Sequence, residues 1–294
     1  MASISRRQFV GASLAAGAVI SSVLANKHSL AASSEPSIAY GLVTYMWGAD
    51  WDLPTLLENC KKANVLGVEL RTTHAHKVEP ELNEKQRADV AARFSDAGVT
   101  CVGIGSDERF CHPDAGKLKL ALEKSKEFIR LSHDIGGSGV KVKPNDFHAE
   151  VPREKTIEQI GKALNELGEY AAGFGQQIRL EVHGKCSELP TIKAIMDIAT
   201  NDNVFVCWNS NKTDLAGDGL ESNFKLVRPR FGATLHVRDF HSADYPWPEL
   251  FSLLVKSKWN GWVLCEAANK VPDRVAALAE QRAMFAEMLK KASA

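Results

Sequence analysis

The chain has 294 residues, of which 45% are hydrophobic and 24% charged, an ordinary composition for a globular protein. Basic and acidic side chains are equal in number, 36 each, so the formal net charge is zero. This balance argues against a nucleic-acid-binding protein and against a protein held on an anionic membrane surface.

The N-terminal 33 residues have the pattern of an export signal. Arg6 and Arg7 precede an apolar run of small residues over 9–25. The arginine pair and this run together match the pattern of a twin-arginine signal. The run is too weakly hydrophobic to serve as a stable membrane anchor. We therefore expect residues 1–33 to be a twin-arginine signal peptide and linker, cleaved within 25–34, and the mature protein to be periplasmic.

From residue 38 onward, strand and helix patterns alternate. Period-two and short apolar runs predict strands over 38–45, 66–70, 99–104, 139–142, 177–182, 204–208, 233–237 and 261–265. Helical periodicity predicts helices over 53–63, 83–96, 114–134, 154–172, 188–200, 220–227, 248–256 and 271–291. Eight strand–helix units predict an α/β fold, a (β/α)8 TIM barrel over residues 38–292 that forms a single domain.

An open, doubly wound sheet is the structural alternative. Such a sheet usually has fewer units and a Gly-rich phosphate turn after its first strand, and no G-x-G-x-x-G follows Tyr45. The six cysteines are scattered, without a C-x-x-C pair, and several lie in apolar runs. We expect buried free thiols instead of disulfides or a zinc site.

Polar side chains collect where the predicted strands end, which is where TIM barrels have their active sites. Seven of the nine histidines lie at or just after a predicted strand end. Glu181, Asn209, His236 and Glu266 end strands five to eight, so in a barrel they line one sector. This mixed oxygen and nitrogen set suits one divalent ion, Mn²⁺, Mg²⁺, Co²⁺ or Zn²⁺. The alternative is a metal-free cluster in which each glutamate pairs with a lysine or arginine.

These strand ends resemble those of the xylose-isomerase-like sugar (phosphate) isomerase and epimerase barrels, which are related to endonuclease IV. The resemblance covers essentially everything after residue 37. In that family a Glu, an Asp, a His and a Glu ending strands five to eight bind one divalent metal. Residues 181–183 resemble its E-x-H motif, 236–239 its H-x-K-D stretch with Arg238 for lysine, and Glu266 its last ligand. Asn209 stands where the family has aspartate, which removes one negative charge.

The resemblance implies a metal-dependent sugar isomerase or epimerase that moves a proton next to a carbonyl. Glu181 and Glu266 would exchange the proton, and His183 would hold a substrate oxygen. Six further side chains are expected to contact substrate: Glu69, His74, Lys141, Lys143, Arg238 and Trp47. Among these, Lys141, Lys143 and Arg238 could hold a phosphate or sugar hydroxyls, and interior ion pairing of these three is an equal alternative.

The expected partner is a small-molecule sugar, and a free sugar because phosphorylated sugars are mostly cytoplasmic. No nucleic acid and no stable membrane anchor are expected, and assembly into a homo-oligomer is left open. Two other functions remain open. One is a metal-dependent lyase or hydrolase acting on an oxidised sugar or glycoside; the other is a degenerate carbohydrate-binding barrel, which the missing aspartate permits.

Overall fold

The computed structural model describes residues 37–294 and shows eight strands that alternate with eight α-helices. The strands are β1 (Ile38–Val43), β2 (Gly67–Arg71), β3 (Thr100–Arg109), β4 (Gly139–Lys143), β5 (Gln177–Glu181), β6 (Val204–Cys207), β7 (Thr234–Val237) and β8 (Gly261–Cys265). The helices are α1 (Leu53–Lys62), α2 (Glu84–Ala97), α3 (Ala115–Asp134), α4 (Arg153–Ala172), α5 (Leu189–Ile198), α6 (Leu220–Val227), α7 (Trp247–Lys256) and α8 (Arg274–Ser293). The predicted (β/α)8 barrel is confirmed, and the predicted signal peptide lies outside the described residues.

All strand pairs are parallel, in the order β6-β5-β4-β3-β2-β1-β8-β7. The two end strands are also joined, because the backbone N–H of His236 donates to Trp208 O at 2.8 Å and that of Gly232 to Val206 O at 2.9 Å. The sheet therefore closes on itself. Closure brings the carboxyl ends of all eight strands to one face.

The apolar core lies mainly between the strands and the surrounding helices. On β5, for example, Ile178 and Leu180 belong to this outer core and are fully buried. The alternate residues point into the barrel, where a separate small apolar cluster consists of Val43, Val102 and Leu264. The rest of the interior holds buried ionisable side chains, which are uncommon in a protein core. These are Glu69, Lys141, Arg179, Glu181 and His236.

Two element boundaries differ from the prediction by three residues or more. Strand β3 runs to Arg109 instead of residue 104, with Arg109 in register with Lys143 on β4. Residues 106–109 are polar and show no apolar period, so the pattern did not reveal this extension. Helix α8 begins at Arg274, not at 271, because the Asp273 carboxylate caps it by accepting from the backbone N–H groups of Val275 and Ala276.

The cysteine prediction is confirmed, since all six thiols are buried and free. None of the helices within residues 37–294 has both the length and the hydropathy needed to cross a bilayer.

Candidate metal and substrate site

Three side chains with metal-binding atoms meet at the carboxyl end of the barrel. Glu181 ends β5, His236 lies in β7 and Glu266 directly follows β8; one ligand atom from each lies within 4.8 Å of the others. His236 Nδ1 is 3.6 Å from Glu181 Oε1 and 3.6 Å from Glu266 Oε2. The structure thus brings together three of the four metal ligands expected from the sequence.

The orientation of His236 fits a metal ligand. Its Nε2 lies 3.1 Å from Glu69 Oε1, whereas its buried Nδ1 has no hydrogen-bond partner among the described residues. A carboxylate that binds one ring nitrogen fixes the tautomer in which the other nitrogen offers its lone pair. Glu69, expected to contact substrate, is fully buried and holds this histidine instead.

Asn209, the fourth expected ligand, follows β6 and lies between the two glutamates. Its Nδ2 donates to Glu181 Oε1 at 2.9 Å and lies 3.4 Å from Glu266 Oε2. Turning the amide by half a revolution would place its oxygen at the same point. The position therefore suits either a hydrogen-bond donor to the carboxylates or a neutral oxygen ligand.

Lys141 on β4 forms a buried ion pair with Glu181. The Lys141 Nζ lies 2.8 Å from Glu181 Oε2, and both side chains are almost completely excluded from solvent. Burial alone would raise the pKa of Glu181, but the Lys141 ammonium next to it outweighs burial and holds that pKa well below its usual range. Glu181 is therefore ionised at neutral pH, with Oε1 left for the cluster.

A pocket of about 430 Å³ opens above this cluster. Its lining residues are Tyr45, Arg71, Asp107, Arg109, Lys143, His183, Asn209, Ser210, Asn211, Arg238 and Glu266. Glu266 is 16% exposed, which makes it the carboxylate of the cluster that faces the pocket. Such a volume is typical of a small-molecule site.

His183, expected as a catalytic residue, lines this pocket. Its Nδ1 lies 3.0 Å from Asn145 Oδ1, and burial lowers its pKa, so the ring is neutral at pH 7. Gly184, which follows it, has φ +68°, and a Cβ there would collide with the Asn145 carbonyl. A glycine is therefore needed for β5 to end against this loop with His183 turned to the pocket.

The sequence model of the family described as xylose isomerase-like TIM barrel matches residues 57–288. The chain belongs to this family. Among solved structures, an L-ribulose 3-epimerase is 17% identical, with a TM-score of 0.73 over 86% of this chain and 95% of the other. The 3-keto-D-glucoside 4-epimerase of E. coli is 14% identical, with a TM-score of 0.72 over 86% of this chain and 100% of that protein. A D-psicose 3-epimerase crystallised with D-fructose is 15% identical, with a TM-score of 0.72 over 87% and 100%.

At these identities the likeness concerns the fold. No curated protein is significantly similar to this chain in sequence.

The other expected substrate contacts of this xylose isomerase-like barrel divide into two groups. Lys143 and Arg238 line the pocket. Trp47 is 2% exposed, with its indole N–H donating to Asn269 O at 2.8 Å, and it packs in the core. His74 Nδ1 forms a hydrogen bond with Thr44 Oγ1 at 3.3 Å. Neither His74 nor the fully buried Lys141 belongs to the pocket lining.

Sequence reasoning left three charged lining residues out of the site: Arg71, Asp107 and Arg109. Arg71 ends β2, while Asp107 and Arg109 lie on the polar extension of β3. The available signal was their position just after two predicted strands. The sequence did not show that β3 continues to residue 109, with a register shift against β4 between Gly105 and Arg109.

Proposed function

We propose that this chain is a sugar epimerase or isomerase that uses one divalent metal ion and moves a proton at the carbon next to a carbonyl. One observation carries the proposal: Glu181, His236 and Glu266 converge on one point at the pocket floor, and no group within residues 37–294 forms a hydrogen bond with His236 Nδ1. The family membership and the sugar epimerases among proteins of the same fold support it.

The ligand set would be Glu181 Oε1, His236 Nδ1 and Glu266 Oε2, with the Asn209 amide oxygen as a neutral fourth donor. An ion bound there, Mn²⁺, Mg²⁺, Co²⁺ or Zn²⁺, would stabilise negative charge that develops on the sugar oxygens. Two carboxylates, one imidazole and one amide make a set in which harder, oxygen-preferring ions are favoured.

The two glutamates differ in what they can do with a proton. Glu266 faces the pocket, so we assign it the removal of the substrate proton. Because Glu181 is ionised, the proton that it delivers to the opposite face of the same carbon would come from the Lys141 ammonium, 2.8 Å from its Oε2. The proton taken by Glu266 would then recharge this pair, so that protons balance over one turnover. His183, neutral and open to the pocket, holds a substrate oxygen by a hydrogen bond.

The test uses purified protein, elemental analysis and a panel of keto and aldo sugars turned over in deuterated water. We expect one divalent ion per chain, loss of activity on chelation, and deuterium at the carbon next to the carbonyl. Glu266→Gln should lower metal content and activity together, whereas Glu166→Gln, an exposed glutamate on α4, should change neither. Product without solvent deuterium would contradict proton transfer, and unchanged metal content in Glu266→Gln would place the ion elsewhere. Cleaved products would point to a lyase or hydrolase.

A metal-free carbohydrate-binding barrel is the second candidate. It is favoured by the contacts of Glu181, which receives a hydrogen bond from Asn209 and an ion pair from Lys141 without any metal. Protein that binds sugar, contains no metal and turns over nothing would establish this second candidate.

A further inference from the structure

Three cationic side chains converge on a single carboxylate at the β2–β4 wall of the pocket. Lys143 Nζ lies 2.9 Å from Asp107 Oδ1, Arg71 Nη2 lies 3.4 Å from the same oxygen, and Arg109 Nη2 lies 3.2 Å from Asp107 Oδ2. Within residues 37–294, no other carboxylate comes within 4.0 Å of these three cations. The cation cluster of Arg71, Arg109 and Lys143 therefore carries two positive charges in excess of Asp107.

The excess positive charge lies in a part of the pocket with little solvent exposure. The Lys143 side chain is 9% exposed and that of Arg71 15%, so bulk water solvates these two charges poorly. Burial, together with the neighbouring Lys141, lowers the pKa of Lys143, although Glu181 and Asp107 act in the opposite direction. Like charges brought together at low exposure are stabilised by an added anion.

The cation cluster and the metal cluster share one pocket. Arg71, Arg109 and Lys143 line the same 430 Å³ as Glu266 and Asn209. A single sugar in this pocket can therefore present its reacting carbons to the glutamates and another part of its chain to the cations. Two arginines offer the planar, paired N–H groups that match carboxylate and phosphate oxygens.

We propose that the cation cluster is a subsite for an anionic group, so that the substrate is a sugar bearing a carboxylate or a phosphate. This inference rests on the proposed function for the reaction at the metal cluster, but it concerns a separate set of residues. It also departs from the free sugar expected from the sequence and from the epimerases of the same fold, which are named for uncharged sugars: L-ribulose, a 3-keto-D-glucoside and D-psicose.

The first experiment measures binding of three probes that differ only at carbon six: D-fructose, D-fructuronate and D-fructose 6-phosphate, with inorganic phosphate as a fourth. We expect the charged sugars to bind about tenfold more tightly than D-fructose or better, and this advantage to shrink at high salt. Preference for D-fructuronate would identify the anion as a carboxylate, and preference for the 6-phosphate would identify a phosphate. Equal binding of charged and uncharged probes, or no binding of any anion, would overturn the subsite.

The second experiment compares two glutamine variants of similarly exposed arginines. Arg109 in the cation cluster is 41% exposed, and Arg93, on α2 and paired with Asp89, is 48% exposed. Arg109→Gln should weaken binding of the charged probes by about ten- to a hundredfold more than it weakens binding of D-fructose. Arg93→Gln should change neither. An equal loss for charged and uncharged probes in Arg109→Gln would mean general damage and would refute the subsite.

The two proposals fail in different ways. Anion binding that depends on Arg109, in a protein that contains no metal and turns over no sugar, would support the anion subsite and refute the proposed epimerase activity. Turnover of D-fructose with no preference for charged sugars would support the epimerase activity and refute the anion subsite. Because the wild-type probe series needs no variant, the inference stays testable even if Arg109→Gln does not fold.

Discussion

Replacing Lys141 with methionine tests how the buried charges of the site are balanced. The ammonium is 2.8 Å from Glu181 Oε2, and neither side chain has appreciable contact with water. Methionine retains much of the length and apolar volume but leaves Glu181 as an uncompensated buried charge. Breaking a buried pair in this way costs about 3–5 kcal/mol of unfolding free energy. Urea unfolding at neutral pH without metal should show this loss for Lys141→Met.

The matched control is Lys126→Met. Lys126 Nζ lies 2.8 Å from Glu166 Oε1 across α3 and α4, the same distance, but the Glu166 side chain is 50% exposed, so water solvates this carboxylate and the pair should contribute about 1 kcal/mol or less. Divalent metal should raise the free energy of unfolding of Lys141→Met more than that of the wild type, because the ion replaces the lost positive charge next to Glu181. A metal concentration about a hundred times the dissociation constant should stabilise the folded protein by about 2.7 kcal/mol. Equal losses in the two variants, or an equal response to Mn²⁺ in Lys141→Met and wild type, would refute this account of the site.

Two further predictions concern other parts of the chain. Burial raises the pKa of Asp214 from its ordinary 3.8 to about 7, although Tyr245 and the Asn211 N–H donate to it. Because the fold holds this proton more tightly than the unfolded chain, stability should fall by up to about 4 kcal/mol between about pH 4 and 7. Asp214→Asn should lack that fall in urea midpoints measured across this range; a parallel pH curve in the variant would contradict the assignment. For the N-terminus, we propose twin-arginine export: Arg6→Lys with Arg7→Lys should keep the protein in the cytoplasm in cell fractionation, and normal export of this variant would exclude that route.

Much of the fold was predictable because barrel strands and helices have distinct periods. On β5, apolar residues at 178 and 180 alternate with Arg179 and Glu181, and the structure buries the first pair against helices and turns the second into the barrel. Parallel strands that end at one face then bring Glu181, His236 and Glu266 together, although they are distant in sequence. Position at a strand end was enough to find these residues.

The roles of Lys141 and Glu69 were not predictable in the same way. Both lie on strands that end at the active-site face, so sequence reasoning assigned them to substrate contact. The decisive quantity is depth along the strand: both side chains are fully buried, and they contact Glu181 and His236 instead of the pocket. A pattern of alternation gives the face of a residue but not its distance below the pocket floor.

Asn209 and Lys141 are best understood together, as two features of one charge balance. Glu69, Glu181 and Glu266 bring three negative charges to the cluster, and Lys141 offsets one of them. One divalent ion would offset the remaining two, leaving the contacting groups neutral, whereas an aspartate at position 209 would add a negative charge that nothing in contact balances. Because a net charge in a poorly solvated site is costly, a neutral amide at 209 is compatible with a metal at a site where a lysine already pairs with Glu181. The asparagine is therefore not by itself a sign of a lost metal site.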